Sequence, residues 1–164
     1  GLALLPLAHG ADYRQISWDD LVPADWDPMK SFSDLRSLNA APDTDPRVQQ
    51  LYERMREVWD NAPPVPQLAG QRIRLPGYVV PLEEGQEGLR AFLLVPSFGA
   101  YLHQPPPPAN QIVFIRSKTP VKGFRAMDTV WVNGTLALDR SRSEMGASTY
   151  NLTADSVTKY TAPK

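Results

Sequence analysis

The chain has 164 residues, 42% of them hydrophobic and 21% charged, with a formal net charge of −1. That length suits one domain with a core of its own, and the balanced charge excludes a global electrostatic draw toward nucleic acid or an anionic membrane. Cysteine is absent, which removes disulfides, thiol nucleophiles and cysteine-ligated metals; no run reaches the roughly 18 apolar residues of a membrane span.

Residues 1–12 open with a short apolar run, Leu2 to Leu7, that leads into Ala8-His9-Gly10-Ala11. Small residues after such a run form the pattern at which a signal peptidase cuts. The expectation is a signal-peptide remnant or N-terminal tail over 1–12, and hence an exported, periplasmic protein. A strand or added sequence is the alternative.

Residues 13–66 read as a helical and irregular extension. Ser17 is placed to cap a short turn that carries Asp20, and Trp26, Phe32, Leu35 and Leu38 are apolar anchors in a polar stretch. Asp45 followed by Pro46 is a strong helix start. Beyond it Val48, Leu51, Tyr52, Met55, Val58 and Trp59 recur on one face at helical spacing, and Asn61 with Pro63-Pro64 ends the element. An apolar stripe of this kind packs on a sheet in most proteins.

Residues 67–164 read as five strands: Gln71–Leu82, Leu89–Val95, Gln111–Ser117, Thr129–Leu138 and Thr149–Lys159. A glycine within a strand marks a bend or bulge, and Gly77 and Gly134 lie inside the first and the fourth. Ala154-Asp155-Ser156 interrupts the fifth, and Arg140 to Gly146 reads as a flexible hairpin. Five short strands with glycine bends predict a mainly β protein with α content: a small five-stranded barrel of the oligonucleotide/oligosaccharide-binding (OB) type with the N-terminal helical extension packed on it. An open antiparallel sheet is the alternative.

The connection between the second and third strands runs through Pro96, Phe98, Tyr101, His103 and Gln104 to four successive prolines, Pro105 to Pro108, and then Asn110-Gln111. Prolines fix φ and remove backbone donors, so this stretch neither pairs as a strand nor winds as a helix. Seventeen prolines are roughly twice average usage, and here they brace a loop between apolar strands. Braced loops on a scaffold are where binding concentrates. The binding candidates are therefore Tyr78, Phe98, Tyr101, His103, Gln104, Asn110 and Gln111. His103 reads either as a hydrogen-bonding residue or as a ligand. Zinc takes three or four protein ligands, and the partners on offer, Asp128, Asp139, Glu144 and Asp155, lie far off in sequence. No paired carboxylates, nucleophile elbow, phosphate loop or zinc-protease helix stands at a telling spacing. Arginines and aromatics are present, but a pI near 6.1 lacks the basic footprint of a nucleic-acid binder.

Leu75-Pro76-Gly77-Tyr78-Val79-Val80-Pro81-Leu82, Phe92-Leu93-Leu94-Val95-Pro96, Phe98-Gly99-Ala100, and His103 with Pro105 to Val113 resemble the bacterial domain-of-unknown-function family 3299 (DUF3299). Trp18-Asp19-Asp20-Leu21-Val22-Pro23 and Trp131-Val132-Asn133-Gly134 share the resemblance, which spans about Trp18 to Tyr160. It implies an exported protein of a Gram-negative envelope, some relatives being encoded beside ABC-type exporters and periplasmic metal-handling proteins. Many relatives carry a cysteine two residues before the loop histidine, where this chain has Tyr101, so a Cys/His metal or redox pair cannot operate here.

These readings converge on a non-enzymatic periplasmic binding or adaptor protein, accessory to an ABC-type export or metal-homeostasis system. Its expected partner is an envelope protein, with no membrane span and no cofactor. A zinc carrier with His103 as ligand is the alternative, and an envelope enzyme of unspecified reaction is a second.

Overall fold

The computed structural model describes residues 12–31, 41–96 and 107–160. Six strands and one α-helix organise them: β1 (Arg14–Gln15), α1 (Pro46–Asp60), β2 (Arg72–Gly85), β3 (Gly88–Val95), β4 (Val113–Val121), β5 (Thr129–Ser143) and β6 (Gly146–Lys159). All five expected barrel strands are present. The sheet order is β1-β2-β3-β4-β6-β5, and a further β2–β5 pairing closes it. The result is a closed OB-like barrel of β2 to β6. Closure overturns the open antiparallel alternative, and so does the pairing of β4 with β6, which is parallel (Val113↔Tyr150 to Ser117↔Ala154).

One long strand makes the closure possible. The first half of β2 pairs with β5, from Arg72↔Thr135 to Tyr78↔Thr129. Its second half pairs with β3, from Tyr78↔Val95 to Gly85↔Gly88. The turn of the strand falls at Gly77, where a Cβ would lie 2.7 Å from Leu94 Cγ and 2.8 Å from the Val95 carbonyl oxygen. Only glycine admits that approach. At Gly134 a Cβ would meet the Thr153 carbonyl oxygen and stand 2.6 Å from Leu152 Cδ2. Opposite this glycine the pairing jumps from Asn133↔Ser156 to Gly134↔Ala154. Asp155, which breaks the apolar pattern of the strand, is therefore the extra residue of a bulge in a continuous β6.

The barrel interior is filled by Ile73, Leu75 and Val79 of β2, Phe92 and Leu94 of β3, Val113 and Ile115 of β4, Val132 and Leu136 of β5, and Tyr150 and Leu152 of β6. Leu21, Ile16 and Leu68 from outside the strands belong to the same cluster. Several strands run beyond the sequence expectation, β2 to Gly85 and β4 to Val121 among them. β5 and β6 continue as a ribbon through Ser141↔Ser148 to Ser143↔Gly146, where mostly polar residues carry no period-two apolar signal. β1 is a two-residue addition, parallel to β2 at Arg14↔Ile73.

α1 has the expected ends. Asp45 accepts the Arg47 N–H at 2.9 Å, Pro46 opens the helix, and the C-cap Asn61 N–H returns to the Glu57 carbonyl. Its stripe packs less deeply than the periodicity implies: Val48 and Leu51 are buried, Met55, Val58 and Trp59 are half-buried, and Tyr52 is 53% exposed. The helix is fastened chiefly at its exit. Arg140 of β5 donates to the Asp60 and Asn61 carbonyls, and Thr149 Oγ1 donates to the Ala62 carbonyl at 2.6 Å.

Candidate functional site

The proline connection leaves the barrel at the end of β3 and returns through a 3-10 turn, Ala109–Gln111, into β4. Phe98, Tyr101, His103 and Gln104 lie outside the described residues, while Tyr78, Asn110 and Gln111 are described. Asn110 is fully buried, and its Nδ2 donates to the Pro63 carbonyl at 3.0 Å. Gln111 Nε2 donates to the Trp18 carbonyl at 2.9 Å and to the Asn110 carbonyl at 3.1 Å. Trp18 Nε1 in turn donates to the Pro76 carbonyl at 2.7 Å. Gln111, Trp18 and the Pro76-Gly77 bend thus form one chain of contacts that ends beside Tyr78. The return of the loop is tied to the N-terminal segment and to β2 by side-chain amides bonding main-chain carbonyls, which fixes position without spending a charge.

Tyr150 reinforces the same junction from inside. Its hydroxyl accepts the Val65 N–H at 2.6 Å and donates to the Leu21 carbonyl at 2.7 Å. Burial pushes this phenol above its ordinary range, and the Val65 hydrogen bond offsets part of the rise.

Tyr78 belongs to a second apolar cluster on the outer wall of the barrel. Val79 of β2 and Leu94 of β3 point inward. Their neighbours Val80, Leu93 and Val95 point outward, and with Ile112 they are 5% exposed or less. Tyr78, Leu82, Phe114 and Met127 are half-buried around them. Both anchors of the proline connection, Val95 and Ile112, sit in this cluster. Sequence reasoning missed the wall, although a signal was present: Ala91 to Val95 is apolar at every position, as strands buried on both faces are. It also missed Trp18 and Tyr150 as the joints of the junction. Their signal was an indole and a phenol within apolar surroundings, where each polar atom needs a partner.

Elsewhere the outer surface carries charged and aromatic contacts. Arg74 stacks over Trp131 with its guanidinium carbon 3.9 Å from the ring centroid, and Tyr160 packs against the same indole at 5.3 Å. Lys118 pairs with Asp155 at 2.7 Å, and Tyr13 donates its hydroxyl to the same carboxylate at 2.8 Å. Together they hold the Asp155 carboxyl below the usual range, Lys118 most strongly. Among the described residues, no group of three or more histidine and carboxylate side chains is gathered to hold a metal, and no helix is long and apolar enough to cross a membrane.

Fold and junction define a small OB-like barrel with a braced N-terminal strap. The family model "Protein of unknown function (DUF3299)" matches residues 18–159, and the chain belongs to that family. It is similar to a crystal structure of a DUF3299 family protein from Pseudomonas aeruginosa PAO1, with 32% identity and a TM-score of 0.68 over 93% of this chain and 99% of that one. A putative aspartyl-tRNA synthetase from Leishmania major Friedlin is 12% identical, with a TM-score of 0.37 over 58% of this chain and 19% of that one. An OBody bound to hen egg-white lysozyme is 15% identical, with a TM-score of 0.31 over 58% and 84%. These last two likenesses are too slight to bear on fold or function. No curated protein matches the chain.

Proposed function

We propose that the protein is a non-enzymatic binding or adaptor module of the Gram-negative periplasm, accessory to an ABC-type export or metal-homeostasis system. Its partner is an envelope protein that docks on the outer wall of β2, β3 and β4 and on the proline connection. The outer apolar cluster is the observation that carries the reading. A closed barrel needs an apolar interior to fold, and its outer wall is free to be polar, as on most soluble barrels. Here the outward side chains Val80, Leu93 and Val95 form an apolar cluster with Ile112, all 5% exposed or less, rimmed by the half-buried Tyr78, Leu82, Phe114 and Met127, and the connection that carries Pro105 to Pro108 begins and ends within it. A partner meets that half-buried rim, whose tyrosine, phenylalanine and methionine are residue types enriched at interfaces.

A photoreactive amino acid placed at Tyr78, at Tyr101 and, as control, at the exposed Tyr52 of α1 tests this in intact cells. One envelope protein crosslinked from positions 78 and 101 and absent from position 52 is the expected result. No adduct, or the same adducts from all three positions, overturns it. The zinc-carrier alternative is settled separately: zinc binding no tighter than about 10 μM, roughly 7 kcal/mol, or binding that persists in His103→Ala, rejects His103 as its ligand.

A further inference from the structure

At the end of the barrel away from the proline connection, a cleft of about 430 Å³ opens between Glu83 of β2, Arg90 of β3, Arg116, Ser117 and Lys118 of β4, and Thr153 of β6. Irregularities in adjacent strands shape it. The β2–β3 register shifts on both sides of Glu83. Across β3–β4 the partner jumps from Val121 at Leu89 to Arg116 at Ala91, so Arg90 stands exposed between two buried neighbours. Bulges re-aim side chains in this way, and they cluster where strands build sites.

The re-aimed groups are mostly cationic, on a chain whose net charge is −1. Arg90, Arg116 and Lys118 from two strands line the cleft with Glu83, and Glu87 and Asp155 stand beside it as the ion-pair partners of Arg90 and Lys118. The ion pairs that two of them make, Arg90–Glu87 at 3.1 Å and Lys118–Asp155 at 2.7 Å, involve basic side chains 61% and 64% exposed, and such pairs exchange partners cheaply. Arg116 lines the same cleft, its guanidinium carbon 5.3 Å from the Phe114 ring centroid. A ring contact steadies the guanidinium and engages its π face rather than its N–H donors. A planar fork flanked by two further cations and the Thr153 hydroxyl matches the oxygens of a tetrahedral oxyanion.

We propose that this cleft binds a phosphate group, with Arg116 as the central contact, Arg90 and Lys118 as flanking contacts, and Glu83 as an opposing charge that weakens the site. The group belongs either to a free phosphate-bearing solute or to a phospholipid headgroup. The site adjoins the apolar wall where the Arg116 guanidinium packs on Phe114, but phosphate binding is read directly, so it stands or falls independently of the adaptor reading.

Titration of the full chain with inorganic phosphate, followed by amide NMR at constant ionic strength with chloride as the balancing anion, tests it. Saturable shifts confined to Arg90, Arg116 to Lys118 and Thr153 are expected. Arg116→Ala weakens binding about tenfold, and Glu83→Gln strengthens it about threefold by removing the opposing charge. Absence of a response overturns the proposal, as do shifts shared with Arg56 and Lys159 or an undiminished response in a folded Arg116→Ala. Should Arg116→Ala fail to fold, Glu83→Gln decides: tighter binding supports the site, and equal or weaker binding rejects it. Sedimentation with vesicles of phosphatidylcholine, alone or mixed with phosphatidylglycerol, separates the sources. Binding to the mixed vesicles that Glu83→Gln enhances assigns a headgroup; phosphate binding without vesicle binding assigns a solute.

Discussion

Tyr150 joins three stretches of chain that are far apart in sequence: β6, the Val65 end of the helix exit and Leu21 of the N-terminal strap. Removing its oxygen leaves a part-buried N–H and a buried carbonyl without this partner, and such orphaned groups cost about 1–3 kcal/mol each when buried. Tyr150→Phe is expected to lower stability by about 2–3 kcal/mol, a large share of the ~5–15 kcal/mol of a typical domain, at unchanged denaturant slope in urea unfolding. The pH dependence has a definite sign. Burial raises the phenol above its ordinary value of 10.0 in the folded state, so its contribution is complete below that value and is lost as pH rises beyond it. Wild type should therefore lose more stability than Tyr150→Phe on passing into the alkaline range. An equal loss in both would show that the phenol does not titrate with unfolding. At this scale the sequence offered Asn110 and Gln111 as binding contacts through their place after the prolines, and the structure shows them bonding main-chain carbonyls within the chain. Their partners, Pro63 and Trp18, were not legible, because a side-chain amide bonds any carbonyl brought to it and the sequence does not say which one arrives.

The elements themselves were legible to different degrees. The ends of α1 follow from Asp45, Pro46 and Asn61, whose capping acts within a few residues, and both ends stand where those residues place them. The depth of its packing was not legible. A stripe of six apolar residues specifies a face, but only Val48 and Leu51 find a surface that buries them. In the strands, Gly77 and Gly134 were recognised as bends, and tertiary contact explains why no other residue serves. Gly134→Ala would press a methyl into the backbone at Thr153 and against Leu152. Backbone cannot yield as a flexible side chain does, so a loss of about 3 kcal/mol is expected, read as a fall in the thermal midpoint. A near-neutral outcome would mean that the bulge at Asp155 absorbs the added carbon. The sequence read Arg140 to Gly146 as a flexible hairpin, but not that strand pairing continues through it, because Arg140, Ser141, Arg142 and Ser143 lack the apolar alternation that betrays a half-buried strand.

Across the whole molecule, the sequence divides at about residue 66 into an irregular extension and a β domain, whereas the core crosses that division. Ile16 and Leu21 are buried in the barrel cluster, and the Ile16 N–H bonds the Arg74 carbonyl at 3.1 Å. The strap is thus expected to open only when the barrel does. In native-state hydrogen exchange, the Ile16 amide should share the opening free energy of Ile115 in β4, within about 1 kcal/mol, as members of one cooperative unit do. Exchange of Ile16 far faster than Ile115 would make the strap a separately opening element.

By itself the sequence determined the helix, its caps, five strands, two glycine bends and the family, because capping, proline geometry and period-two patterning act between residues close along the chain. Only the tertiary structure decided that the sheet closes, that β4 lies parallel to β6, that an apolar wall stands outside the barrel and that three cations gather at its far end. Those outcomes depend on register between strands tens of residues apart, and a shift of one residue in register exchanges inside for outside.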